Sequence, residues 1–278
     1  MILVTAATGN VGRELVPQLV HAGQPVRAGT RHPEQLTLDG AEAVRFDFGD
    51  EASVRAALQG VRAVYLVVPE TIEMEQVGRS LDLMREAGVQ QVVLQSGFGA
   101  EQGDNPLGEA EDVVRDSGLS WTILRPNWFM QNYNQMFQKG IRERHEFAEP
   151  AGEHPTSFID TRDIAAAAVT VLTQPGHDGE VYPLTGPQSI DRHAVAAALS
   201  EALGHSITYR PVDDDGFVEF MTSTGESDEE EARAIAAIYP PIRAGETASL
   251  TPDVRRLTGR EGHTIGDFAR HYRSDWER

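Results

Sequence analysis

The chain has 278 residues, with 24 basic residues against 43 acidic ones and a formal net charge of −19. Having no cysteine, it has no disulfide scaffold, thiolate metal site or thiol nucleophile. The acidity argues against nucleic acid and anionic membrane surfaces as partners, since both are bound through clustered Lys and Arg. Of the basic residues 23 are arginines and one, Lys139, is a lysine, so lysine-dependent chemistry has a single candidate.

No apolar run is long enough to span a bilayer, and Met1-Ile2-Leu3-Val4 lacks the basic region and hydrophobic stretch of a secretory signal. A cytoplasmic location is the expectation. The acid excess keeps the surface self-repelling, and it suits a high-salt source as well as an ordinary one. Arginine in place of lysine fits a GC-rich genome.

The first half alternates short Val/Ile/Leu runs with helical patterns. Strands are expected at Ile2–Thr5, Pro25–Thr30, Ala43–Phe46, Ala63–Val68, Val92–Gln95 and Trp121–Leu124. Helices are expected at Gly12–Ala22, Glu51–Leu58, Glu73–Ala87 and Leu107–Ser117. This order specifies an α/β fold with a doubly wound parallel sheet covered on both faces. The second half is less regular. A helix is expected over Asn127–Ile141, which holds Trp128, Phe129, Tyr133 and Phe137, with further helices at Asp163–Leu172 and His193–Leu203. Short strands fall at Val181–Leu184 and Ile207–Arg210. Ser227-Asp228-Glu229-Glu230 matches a capping box for a helix through Tyr239, which explains those acids without a metal. Asp213-Asp214-Asp215 reads as a solvated turn, and no metal site is expected. The organisation expected is a dinucleotide-binding core over residues 1–126, completed by segments around 155–187. A small, mostly helical substrate lobe would be built from 127–154 and 188–278.

Val4-Thr5-Ala6-Ala7-Thr8-Gly9-Asn10-Val11-Gly12 carries the most information. It follows a strand and opens a helix, as a dinucleotide fingerprint must. Gly9 lets the backbone approach a pyrophosphate, Gly12 lets the helix pack on the sheet, and the free N–H groups at the helix start hold the anion. The first glycine of the usual pattern is Ala6 here. Ala7, Thr8, Gly9, Asn10 and Val11 are therefore expected to line the cofactor. The second strand runs into Arg31, where a carboxylate would suit NAD and an arginine suits the 2′-phosphate of NADP. Asp47 and Phe48 follow the third strand at the adenine position. Val68 and Pro69 leave the fourth beside the adenosine and pyrophosphate. The cofactor expected is NADP(H).

Ile2–Gly12, Gln95-Ser96-Gly97-Phe98-Gly99-Ala100, Trp121-Thr122-Ile123-Leu124-Arg125-Pro126, Phe158-Ile159-Asp160-Thr161-Arg162-Asp163-Ile164-Ala165 and Leu184-Thr185-Gly186-Pro187 together resemble a known family. They are similar, in the same order, to motifs of the extended, atypical short-chain dehydrogenase/reductases, specifically the NmrA-like branch. The resemblance implies a Rossmann domain that binds NADP(H). That branch includes quinone reductases, ketoreductases of aromatic polyketide pathways, and redox sensors that bind dinucleotide without turning it over.

Ordinary short-chain dehydrogenases deliver the proton with a Tyr-x-x-x-Lys pair. Here the residues four positions after the six tyrosines are Pro69, Phe137, Gly186, Asp213, Arg243 and Trp276, so the pair does not exist. The segment Asn105-Pro106-Leu107-Gly108-Glu109-Ala110-Glu111, where the family places it, has no Tyr, Lys or His. Only the serine of the usual constellation remains, as Ser96, a weak donor or a cofactor-facing hydroxyl. The expectation is an NADPH-dependent ketoreductase acting on a polycyclic aromatic, polyketide-type ketone or a quinone, of the kind used in antibiotic biosynthesis, with the proton supplied by substrate or solvent. A general quinone reductase and a non-catalytic NADP-binding sensor are the alternatives. Phe98, Trp128, Phe129, Met130 and Tyr133 are expected to meet a flat aromatic substrate. His145 and His154 are expected on surface loops. The assembly expected is a monomer or homodimer.

Overall fold

The Val/Ile/Leu runs of the first half pair into one parallel sheet, seen in a computed structural model that describes residues 1–69, 71–101 and 105–277. Along the chain the strands are β1 (Ile2–Val4), β2 (Val26–Thr30), β3 (Ala41–Arg45), β4 (Ala63–Val67), β5 (Gln91–Gln95), β6 (Ser120–Pro126), β7 (Glu146–Glu149), β8 (Glu180–Leu184) and β9 (Thr208–Pro211). The helices used below are α1 (Gly12–His21), α2 (Glu51–Ala57), α3 (Met74–Glu86), α4 (Pro106–Arg115), α5 (Thr161–Thr173), α6 (Arg192–Leu203), α7 (Asp214–Thr224), α8 (Glu229–Ala236), α9 (Pro240–Arg243), α10 (Asp253–Thr258) and α11 (Ile265–His271).

Contacts divide the chain into two units, one of Met1–Pro126, Thr161–Leu184 and Asp253–Arg260, the other of Asn127–Asp160, Thr185–Pro252 and Glu261–Arg278. In the first unit the strand order is β3-β2-β1-β4-β5-β6-β8, all parallel. This is the Rossmann arrangement expected from the sequence. The order reverses between β1 and β4, which puts the ligand crevice at the carboxyl ends of those strands. Leu3, Val64, Leu66, Val92, Leu94 and Ile123 are buried from this sheet in one apolar cluster with Leu81 and Met84 of α3. Asp253–Arg260 joins this unit although the sequence pattern groups it with the lobe. The Thr170 hydroxyl of α5 donates to the Leu257 carbonyl at 3.0 Å, and Arg260 pairs with the fully buried Asp163 at 2.8 Å.

The second unit has its own core, formed by Phe137, Phe147, Phe158, Phe217, Phe220 and Phe268 with the apolar faces of α6, α7 and α11. The parallel pair β7-β9 runs through it. The expected helix over Asn127–Ile141 is absent. Phe129 is extended and bridges Ile159, whose amide and carbonyl bond to the Trp128 carbonyl and the Met130 amide, and a 3₁₀ segment (Met130–Asn134) and a π-turn (Gly140–Arg144) follow. Gly140 lies so close to the Phe220 ring that a Cβ there would fall 2.6 Å from it. Of the acidic clusters, Asp213 caps α7 through the Gly216 amide, and Asp214 and Asp215 pair with Arg243 and Arg233. Asp228, rather than Ser227, caps α8, because its carboxylate reaches the Glu231 amide.

Candidate active site

The fingerprint loop is fixed at the switch point by Thr5. Its buried hydroxyl donates to the Tyr65 carbonyl at 3.1 Å and accepts from the Val67 amide at 2.9 Å, tying the end of β1 to β4. Ala6 adopts φ 50°, the left-handed region where glycine stands in the usual pattern. The turn then closes through the Gly9 amide and the Ala6 carbonyl at 2.9 Å. A Cβ on Gly12 would lie 2.4 Å from the Ala6 oxygen and 2.7 Å from the Ala7 Cα, and one on Gly9 3.1 Å from the Ala6 oxygen. No side chain caps α1, and the amides of Asn10, Val11 and Gly12 meet no acceptor among the described residues. Open donors around a glycine-lined turn at a helix start fit the pyrophosphate of a dinucleotide. Ala7 and Val11 are buried beneath the loop, whereas Thr8 is exposed.

The neighbouring strand ends bring up the other expected residues. Arg31 is exposed one residue past β2. Asp47 accepts from the Gly49 amide at 3.0 Å and from Arg45 at 3.3 Å. Phe48 is half-buried, edge-on to Phe46 with ring centroids 5.2 Å apart. Val68, Pro69 and Ser96 line a small apolar cleft with Leu94 and Leu107 at the ends of β4 and β5. Phe98 is half-buried on the loop after β5, and its amide donates to the Pro126 carbonyl at 2.9 Å.

Ser96 does not stand free. Its hydroxyl donates to Glu111 Oε1 at 2.6 Å. Glu111, on α4, is 1% exposed, and Arg125 reaches both of its oxygens at 2.8 and 2.6 Å while Arg115 reaches Oε2 at 2.7 Å. Burial works against the charged carboxylate, but the hydrogen bonds from Arg125 and Ser96 and the nearby positive charge outweigh it and hold the group below the usual range. Arg125 also pairs with Glu101 at 2.7 Å. Five of the six tyrosines are buried. Burial pushes the phenols of Tyr65, Tyr133, Tyr182, Tyr209 and Tyr239 upward, the opposite of what a catalytic tyrosine needs. The Lys139 ammonium is bonded to the Gly225 carbonyl at the end of α7, inside the second unit.

The expected substrate wall splits. Met130 and Tyr133 are 2% and 1% exposed and belong to the core of the second unit. The Tyr133 hydroxyl is spent on Glu149 at 2.8 Å, which also accepts from the buried Arg192 at 3.1 Å. These two residues therefore present no surface to a ligand. Trp128 and Phe129 are half-buried in the same unit, Trp128 with its ring 5.0 Å from that of Tyr239. His145 and His154 are exposed there, as expected.

Residues 6–175 match the NAD(P)H-binding family. The chain belongs to that family. An NAD(P)H azoreductase from Xenophilus azovorans is 37% identical over 280 residues, covering 97% of both chains. A (4-alkanoyl-5-oxo-2,5-dihydrofuran-3-yl)methyl phosphate reductase from Streptomyces griseus is 36% identical over 290 residues, covering 97% of this chain and 96% of the relative. Among solved structures, the Escherichia coli quinone oxidoreductase QOR2 complexed with NADPH superposes with a TM-score of 0.85 at 26% identity, covering 98% of this chain and 99% of that one. The NAD(P)H cofactor expected from the motifs is that of the family, and the fold expected from them is shared with NmrA, whose structure superposes with a TM-score of 0.72.

For an NAD(P)H-binding protein of this kind, the residue that the sequence motifs leave out is Glu111. A signal for it exists. With Leu107, Ala110 and Val114 it falls at helical spacing on the face of α4 turned to the sheet, where a carboxylate survives only if cations meet it.

Proposed function

We propose that the chain is an NADPH-dependent reductase of flat, conjugated electrophiles, either a quinone or a polycyclic aromatic ketone with an adjacent phenol. The observation that carries this is the pairing of a dinucleotide cradle with a Ser96 whose hydroxyl hydrogen bond is already donated to Glu111. When bound, NADPH supplies a hydride. The fingerprint amides, Arg31, Asp47, Phe48, Val68 and Pro69 bind and orient the cofactor, which is where most of the acceleration of a hydride transfer originates. Phe98, half-buried on the loop after β5, offers an apolar face to a flat ligand.

With the Ser96 hydroxyl bonded to Glu111 and no Tyr-x-x-x-Lys pair in the chain, the reaction runs without the usual general acid, a loss that costs typically 10²–10⁴-fold. Electrophiles whose reduced form is a stabilised anion escape that cost. A quinone that takes the hydride becomes a phenolate and draws its proton from water, so that quinone, NADPH and one proton give hydroquinone and NADP⁺. A ketone beside a phenol holds its developing oxyanion through an internal hydrogen bond. Azo compounds, quinones and acylated dihydrofuranones, the substrates in the names of the relatives, are all conjugated acceptors of this type.

The test is NADPH oxidation with quinones, phenolic polycyclic ketones and the O-methyl ethers of those phenols. Turnover of quinones and free phenols, with the methyl ethers slower by about 10²–10⁴-fold, is the expected result. Tight NADPH binding without turnover of any of them refutes the proposal.

A further inference from the structure

Two arginines flank the fingerprint loop, and neither meets a carboxylate among the described residues. Acids outnumber bases 43 to 24 in this chain, and Arg27, Arg45, Arg55 and Arg79 of the same unit are each ion-paired. Against that background two unpaired guanidinium groups beside one loop keep their charge for an anion from outside. The first is Arg31. The second is Arg13, the residue directly after Gly12 on the opening turn of α1.

Arg13 is exposed, yet its position is fixed. Its Nε donates to the Thr8 carbonyl at 2.8 Å, which folds the side chain back over the loop and leaves both terminal nitrogens open. The residue before Thr8 is joined to β2, since the Ala7 amide donates to the Gly29 carbonyl at 3.1 Å, and Arg31 follows Gly29 by two residues. The anchor of Arg13 therefore lies beside the strand whose end carries Arg31.

We infer that Arg13 is a second ligand of the cofactor 2′-phosphate, holding it from the loop side while Arg31 holds it from the β2 side. A phosphate monoester carries about −1.5 to −2 charges near pH 7, more than one guanidinium neutralises. The segment after Arg31, His32-Pro33-Glu34-Gln35, has no further Lys or Arg, and its His32 ring lies 3.4 Å from the Glu34 carboxylate. Arg45, at the end of β3, is already shared between Asp47 and Asp50 at 3.3 and 3.6 Å. An arginine pre-set by a backbone carbonyl presents its fork to phosphate oxygens at little entropic cost.

This inference rests on NADPH being the preferred cofactor, and direct binding separates the two. Calorimetric dissociation constants for NADPH and NADH are measured on the wild type, Arg13→Gln, Arg13→Lys and Arg31→Gln. Arg13→Gln is expected to weaken NADPH about tenfold, as loss of a hydrogen bond to a charged group does, with NADH held within about twofold. Arg13→Lys keeps the charge but loses the fork and the hold on Thr8, and it is expected to fall between the two. A wild type that prefers NADPH while Arg13→Gln leaves its affinity unchanged overturns the role of Arg13 alone, as does an equal loss of NADPH and NADH affinity. A wild type that binds both equally overturns the NADPH preference and the clamp together.

Discussion

The Ser96 hydroxyl donates a hydrogen bond to Glu111 across 2.6 Å, and Arg125 and Arg115 favour the ionised form of Glu111. A hydroxyl in that state offers lone pairs rather than a proton to whatever faces it. In the usual dehydrogenase constellation the corresponding serine donates. Ser96→Ala is therefore expected to lower kcat for a quinone no more than about fivefold, far from the 10²–10⁴-fold that loss of a general acid brings. Steady-state rates at saturating NADPH check this. A loss beyond a hundredfold would show that Ser96 releases its proton during turnover.

Glu111 itself is expected to matter for stability. Glu111→Gln leaves two guanidinium groups without their shared anion, and because Arg125 and Arg115 are partly solvated the cost should be about 2–3 kcal/mol rather than the full penalty of a buried charge. The folded-state pKa of Glu111 is depressed, so its contribution is complete above the ordinary carboxylate value near pH 4.3 and is lost as pH falls through the lower folded value. Melting midpoints of wild type and Glu111→Gln should therefore differ most near neutral pH and converge as pH falls below the ordinary carboxylate range. A gap that stays constant with pH would assign the loss to packing.

Gly12 is expected to tolerate alanine less well than Gly9. The added Cβ at Gly12 meets backbone atoms at 2.4 and 2.7 Å, and backbone cannot swing aside as a side chain does. At Gly9 the single close contact is 3.1 Å, and a shift of a few tenths of an ångström relieves it. Gly12→Ala should cost about 1–3 kcal/mol and weaken NADPH by at least tenfold, because the loop and the start of α1 must separate. Chemical denaturation and NADPH titration of both variants measure the difference, and equal effects would remove the packing argument.

The parts of the fold readable from sequence are those where one periodicity decides the outcome. Continuous apolar runs such as Val92-Val93-Leu94 can only be buried parallel strands once helices separate them, and all the expected strands of the sheet form. The fingerprint turn was equally legible, including Ala6, whose left-handed backbone shows that the turn demands the conformation even without glycine. The stretch after Pro126 misleads because Phe129, Tyr133, Phe137 and Ile141 repeat every four residues, as in a helix. Backbone bonds to Ile159 hold its start extended, and that partner is thirty residues away in sequence. Glu111 was hidden for the same reason, since its cation Arg125 comes from another element.

Separating packing residues from ligand residues gives a final expectation for that stretch. Met130 and Tyr133 lie inside the core of the second unit, so truncating them should cost stability and leave chemistry alone. Met130→Ala should lose about 2–5 kcal/mol. Tyr133→Phe, which deprives Glu149 of a hydrogen-bond donor, should lose about 1–3 kcal/mol. For both, kcat/KM of the fraction still folded at low temperature should match wild type. Phe98→Ala should do the reverse. Phe98 is half-buried on the loop after β5, so little core is lost, while an aromatic wall worth about 1–2 kcal/mol of substrate binding disappears and KM for a quinone rises about tenfold. Melting curves set beside kcat and KM for the three variants decide the matter. A KM that rises in Met130→Ala but not in Phe98→Ala would return the substrate to the core side of the 3₁₀ segment.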